Sequence, residues 1–205
     1  MNPTSIETII FDLGGVLIDW NPRHLYRKIF RTEEEIEWFL QNVCTSDWNE
    51  KQDAGRSFEE ATNELLLKFP EHAAPIRAWY DRWQETIKGS IPDSVAILSQ
   101  IRDSKKYRLY ALTNWSEQTF PWALNNFDFL HWFEGIVVSG HEKTRKPYPD
   151  FYQILLDRYK IDPAKAIFID DVHRNILGGQ AVGIQGLHFQ SPSQLKDDLL
   201  KLGLL

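Results

Sequence analysis

One shape recurs four times along this chain and restricts what it can fold into: a short, β-branched apolar run that stops on polar residues. Thr8–Phe11 stops at Asp12-Leu13-Gly14-Gly15-Val16, Tyr107–Leu112 at Thr113-Asn114, Gly135–Val138 at Ser139-Gly140, and Ala166–Ile169 at Asp170-Asp171. Runs that are apolar throughout, rather than alternating, read as strands buried on both faces, as in a parallel sheet. Between them lie segments with helical periodicity, Asp93–Ser104, Glu117–Asn125, Asp150–Tyr159 and Arg174–Val182. A weaker strand near Ile184–His188 precedes a last helix from Ser193. Strands alternating with helices predict an α/β fold, a doubly wound parallel sheet with helices on both faces.

Residues 21–88 break the alternation. They carry helical patterns at Arg23–Phe30, Glu33–Cys44, Phe58–Phe69 and Ala74–Thr86, and no convincing strand. Asn21-Pro22 reads as an N-cap followed by proline at the first helical position, and Ser57 with Glu60 fits a capping box. The segment is expected to be a small helical domain, 21–88, spliced into a core made of residues 1–20 and 89–205.

Composition excludes more than it selects. With 42% hydrophobic and 25% charged residues among 205, the chain has the apolar material for a sizeable core. A net charge of −6 offers no basic footprint for nucleic acid and no polybasic segment for a membrane surface. The N-terminal apolar run follows Glu7 and is too short for a signal peptide or a span. The single cysteine, Cys44, cannot form an internal disulfide and is read as a small buried side chain, which fits a cytoplasmic protein.

In a doubly wound sheet, ligands sit at the carboxyl ends of the strands. Asp12, Thr113-Asn114 and Asp170-Asp171 each lie just past such an end, and Lys146 follows the third strand closely. Each has a bland reading alone, as a turn, a cap or a solvated loop lysine; their joint placement at successive strand ends is what singles them out. Phosphoryl transfer suits the set, because charge on the phosphoryl oxygens must be neutralised while a nucleophile is held in line. A carboxylate, Asp12, can attack and form an aspartyl-phosphate. Two anions approach only with a cation between them, and magnesium favours one or two carboxylates plus phosphate oxygen and water. Asp170 and Asp171 would supply that side of the metal. Lys146 adds a fixed positive charge, and the Thr113 hydroxyl and nearby amides add donors.

Phe11-Asp12-Leu13-Gly14-Gly15-Val16-Leu17, Leu112-Thr113-Asn114, Arg145-Lys146-Pro147 and Phe168-Ile169-Asp170-Asp171 resemble, in order, the four motifs of the haloacid dehalogenase-like hydrolase superfamily. The resemblance covers the core residues 1–20 and 89–205, and implies a Rossmann-like core with a helical cap inserted after the first motif. It implies Asp12 as nucleophile, Thr113 and Asn114 as phosphate-binding residues, and Lys146 as the stabilising lysine. The metal, Mg2+, would be held by Asp12, Asp170, Asp171 and the backbone carbonyl of Gly14, with Asn175 behind them. One position departs: most phosphatases of the family carry a second aspartate, the general acid and base, where this chain has Gly14. The DLGGV form resembles a subgroup that includes sugar-phosphate phosphatases. Asp19 and His24 are the nearest substitutes in sequence.

The expected activity is therefore that of a hydrolase, a magnesium-dependent phosphatase of small phosphorylated metabolites, sugar phosphates first. Two alternatives share the residues: a 2-haloacid dehalogenase, which needs no metal and so no acidic pair at Asp170-Asp171, and a weakly catalytic phosphate-binding regulator, suggested by Gly14. The chain order of acidic pair and lysine excludes a receiver domain. Specificity is expected in the first inter-helix loop of the cap, around Asp47, Trp48, Asn49 and Glu50, with Trp48 and Glu50 as leading candidates. Trp38, Trp79 and Trp83 read as packing residues. Protein partners are not legible.

Overall fold

The computed structural model describes residues 6–205, so residues 1–5 of the expected core lie outside the described residues. Five parallel strands form the central sheet: β1 (Thr8–Phe11), β4 (Arg108–Thr113), β5 (Gly135–Val138), β6 (Ala166–Asp170) and β7 (Gln185–His188), in the order β5-β4-β1-β6-β7. β1 and β6 are buried along their whole length, as their unbroken apolar sequence requires.

The pleat divides the core in two. Ile9 and Phe11 of β1, with Leu109 and Ala111 of β4, face a cluster built on helices α6 (Pro92–Ser104), α7 (Phe120–Asn126) and α11 (Pro192–Lys201). Ile10, Tyr110 and Phe168 point the other way, against α9 (Pro149–Tyr159) and α10 (His173–Ala181). Both faces are thus covered by helices, which is what makes the central positions of β1, β4 and β6 apolar on both sides. Ser139-Gly140, read from sequence as the loop after a strand, opens a one-turn helix instead, α8 (Ser139–Glu142).

The helical insert leaves the core through a strand pair that the sequence reading lacked. β2 (Ile18–Trp20) runs out, β3 (Ile87–Ser90) runs back, and the two pair antiparallel with a bulge at Asp19/Trp20. Ile87-Lys88-Gly89-Ser90 is too short and too polar to announce itself, and becomes a strand only because β2 supplies a partner. Between them lie α1 (Pro22–Tyr26), α2 (Glu33–Asn42), α3 (Ser46–Asp53), α4 (Phe58–Lys68) and α5 (Ala73–Asp81). The expected caps are present: Asn21 accepts from the Arg23 amide, and Ser57 and Glu60 make both bonds of a capping box. α3 forms where the sequence predicts an inter-helix loop. Thr45 caps it, accepting from the Trp48 amide at 3.1 Å, but its polar sequence, SDWNEKQD, shows no apolar stripe.

That helix turns Trp48 into the insert rather than towards the cavity above Asp12. Trp48 is buried, donates through Nε1 to the Ala61 carbonyl at 3.1 Å, and packs edge-on to Trp79 at 5.3 Å. It belongs to the insert's own core, with Leu25, Tyr26, Phe39 and Ile76. Trp38, in contrast, is 49% exposed beside His72 rather than packed inside. Trp48→Ala should therefore destabilise the protein by about 3–5 kcal/mol, the usual cost of an emptied core aromatic site. Trp38→Ala should cost much less. Urea unfolding followed by near-ultraviolet circular dichroism separates the two.

Candidate active site

Strand order reverses beside β1, since β4 and β5 extend the sheet on one side while β6 and β7 extend it on the other. A crevice at the carboxyl ends of β1 and β6 follows. The registers Phe11↔Ala111 and Phe11↔Ile169 bring the residues that come next, Asp12, Leu112 and Asp170, to one level. Asp12 is buried; its amide donates to the Ile169 carbonyl at 2.8 Å, and its Oδ1 accepts from the Leu13 amide at 2.7 Å.

Lys146 lies between two of the carboxylates. Its Nζ is 2.8 Å from Asp12 Oδ1 and 2.7 Å from Asp170 Oδ2, with the lysine fully buried. Asn114 holds it from the backbone side: Lys146 N donates to Asn114 Oδ1 at 2.8 Å, and Asn114 Nδ2 donates to the Lys146 carbonyl at 3.1 Å. Asn114 reaches the cavity wall, whereas Thr113 ends β4 fully buried and does not line the cavity. Burial would lower the pKa of Lys146, but Asp12 and Asp170 outweigh it and hold the ammonium charged. For Asp12 the balance runs the other way: burial pushes its carboxyl well above the usual range, Lys146 opposes this, and Asp170 and Asp171 add to it.

Burial is the larger cause, and a deficit of positive charge adds to it. Oxygens of Asp12, Asp170 and Asp171 lie within 4.8 Å of one another, and one ammonium cannot neutralise them. A hard divalent cation fits a set made only of carboxylate oxygens. The surroundings agree. Both oxygens of Asp170 are taken by protein donors, Val172 N at 2.7 Å, Asn175 Nδ2 at 3.0 and 3.1 Å, and Lys146. Asp171 is exposed, and its carboxylate sits against Gly15, whose φ of +77° favours glycine and would strain any other residue. Asn175 Oδ1 is buried without a partner among the described residues, an acceptor available to a water on such a cation. Gly14 lines the same cavity, is not in the left-handed region, and has open space where a Cβ would point.

Above these groups a cavity of about 560 Å³ lies between core and insert. Its walls mix aromatic faces, Trp20, Trp79, Tyr80, Trp83 and Trp115, with polar groups of α3, Asn49, Glu50, Gln52 and Asp53. Glu50 pairs with Arg145 Nη2 at 2.6 Å and with Arg174, tying the insert to the loop that carries Lys146. The Phe58 amide donates to Gln118 Oε1 at 2.9 Å, a second tie. Of the cap residues singled out from sequence, Asn49 and Glu50 line the cavity, while Asp47 is exposed and Trp48 buried behind it. Arg145, Arg174, Gln52, Asp53 and Tyr80 were not legible. Only Arg145 carried a signal, its place beside Lys146.

Residues 6–183 match the haloacid dehalogenase-like hydrolase family. A sesquiterpene phosphatase of Aspergillus oryzae is 28% identical over 90% of both chains. A fructose-1-phosphate phosphatase of Escherichia coli is 23% identical over 87% of this chain and 94% of its own. Among solved structures, a Bacteroides thetaiotaomicron enzyme of the same family, crystallised with magnesium and inorganic phosphate, superposes with a TM-score of 0.67. It is 21% identical, with 91% of this chain and 95% of that one covered.

Lys146→Met, which keeps the buried stem and removes the charge, should destabilise the protein by about 3–5 kcal/mol by leaving two carboxylates unpaired. Magnesium chloride should return part of the loss, because a bound cation takes over the neutralisation. Thermal melts of both proteins with and without the salt check this.

Proposed function

The chain belongs to the haloacid dehalogenase-like hydrolase family, and on that premise we propose that it is a magnesium-dependent phosphatase of small phosphorylated metabolites, with Asp12 as nucleophile. The observation that carries the reading is the position of Asp12: a buried carboxylate held by Lys146 and the Leu13 amide at the floor of a cavity, with a second acidic group, Asp171, beside it. Asp12 attacks phosphorus, the alcohol leaves, and water then hydrolyses the aspartyl-phosphate. Magnesium, when bound by Asp12, Asp171 and the Gly14 carbonyl, supplies charge neutralisation on the phosphoryl oxygens. Asp170 positions Lys146 and is itself positioned by Asn175. Lys146 and Asn114, both on the cavity wall, face the phosphoryl group from the other side, while Thr113 stays buried behind Asn114.

The insert, residues 21–88, acts as the cap. Glu50 closes it on the core through Arg145 and Arg174, and Glu50 rather than Trp48 is the specificity candidate that remains on the cavity wall. Aromatic faces next to amide and carboxyl groups suit a leaving group with one apolar and one hydroxylated side. Sugar phosphates come first, and the likeness to a sesquiterpene phosphatase puts an isoprenoid monophosphate in the same panel. No helix among the described residues is long and apolar enough to cross a membrane; the cytoplasm is the compartment we assign, and Cys44 is buried and free.

Hydrolysis of p-nitrophenyl phosphate with magnesium, lost in excess chelator, is the expected result; full activity in chelator would favour haloacid dehalogenation. Asp12→Asn should reduce turnover to background while the melting temperature stays within a few degrees. Asp171→Ala should raise the magnesium concentration needed for half-maximal rate more than Asp170→Ala does, because the oxygens of Asp170 are already occupied by protein donors. A magnesium titration of both variants checks the order.

A further inference from the structure

A phosphatase with glycine at position 14 lacks the carboxyl that would protonate the departing alcohol and deprotonate the attacking water. Asp19 and His24 do not replace it. They bind each other at 3.0 Å, and neither lines the cavity. Five carboxyl groups of the described residues do line it: Asp12, Glu37, Glu50, Asp53 and Asp171. Glu37 is bound through both oxygens by Arg23, Glu50 is held by Arg145 and Arg174, and Asp12 and Asp171 belong to the nucleophile and the metal set. Asp53 is left, with a single long contact from Asn49 Nδ2 at 3.4 Å.

Nothing in the fold asks for an acid at this place. Asp53 is the last residue of α3, where the negative end of the helix dipole disfavours a carboxylate. Beside it on the cavity wall, Gln52 Nε2 and Tyr80 Oη are buried next to each other, short of a well-formed hydrogen bond among the described residues, polar groups that a substrate's hydroxyl or ester oxygens would satisfy. On this evidence from side-chain pairing, and resting on the phosphatase reading above, we propose that Asp53 of the cap is the catalytic acid and base of the site, in place of a carboxyl at position 14.

In the first step Asp12 bonds to phosphorus, the P–O bond to the alcohol breaks, and the proton of the Asp53 carboxyl goes to the alcohol oxygen. In the second, water attacks phosphorus, its proton returns to Asp53, and the P–O bond to Asp12 breaks to release phosphate. The group must therefore be protonated at the start of the cycle. Burial first, and Glu50 second, push Asp53 up to about 7, against the lowering by Arg145 and Lys146. Those three, with Tyr80 of α5, are the charged and titratable groups that face it. The placement also makes proton transfer depend on cap closure, since Asp53 rides on the helix that Glu50 ties to the core.

The test compares an alkyl phosphate, which needs a proton on leaving, with p-nitrophenyl phosphate, which does not. Asp53→Asn should slow the alkyl ester by about 10²-fold or more and remove the fall in kcat/KM above about pH 7, which the wild type should show. With the aryl ester its first turnover should stay fast while the steady state slows, giving a burst. Adding Gly14→Asp to Asp53→Asn should restore alkyl turnover, because a Cβ at position 14 meets nothing within 4 Å and the backbone there is not left-handed. Equal losses with both esters and no rescue would make Asp53 structural, and an unaltered pH profile would remove it from the chemistry. If Asp53→Asn does not fold, the wild type decides: its aryl-to-alkyl rate ratio should rise from about pH 6 to about pH 8 as the acid is lost, and a constant ratio overturns the proposal. A wild type inactive on every phosphate would instead overturn the phosphatase reading itself.

Discussion

Taking an ammonium and two carboxylates out of water costs several kcal/mol per ion, and only good geometry and further hydrogen bonds offset it. Lys146, fully buried between Asp12 and Asp170, is where this chain meets that demand. The fit depends on three separate pieces of chain: β1 and β6 must end level, and Asn114 must clamp the Lys146 backbone from the end of β4. Any slip in strand register would leave charges unpaired. The sheet order and the charge cluster therefore enforce each other.

The same cluster is left short of positive charge, which is where stability and chemistry meet. Burial and mutual repulsion raise Asp12 even with Lys146 in contact, so the site favours whatever brings a further cation among the carboxylates. A core satisfied by its own side chains would have no such affinity. The unpartnered Asn175 Oδ1 and the carboxylate of Asp171, lodged against Gly15, extend the unsatisfied set.

A second set of ties comes from the insert. It hangs on a short antiparallel ribbon, β2 and β3, but is held down elsewhere, by Glu50 on Arg145 and Arg174 and by Phe58 on Gln118. Because Arg145 precedes Lys146, the residue that receives the insert is joined to the residue that pairs with Asp12. The aromatic walls of the cavity are partly the insert's own core: Trp79 packs on Trp48 and Tyr26 on one side and lines the cavity on the other.

Sequence alone determined the elements whose signal is local. Buried parallel strands cannot be written without unbroken apolar runs, so β1, β4, β5 and β6 were legible, as were the capped helices α1 and α4 and the convergence of Asp12, Lys146, Asp170 and Asp171. What only the tertiary structure decided depends on partners distant in sequence. β3 is a strand because β2 lies beside it, and α3, with Trp48 as its one large apolar residue, is a helix that puts that residue into the insert's core and its polar residues against a cavity. For that reason Trp48 and Asp53, five residues apart, could not be told apart beforehand: one fills the insert and the other faces the cavity above Asp12. Which of them does so is fixed by the rotation of α3 against the fold, and no single-residue property records it.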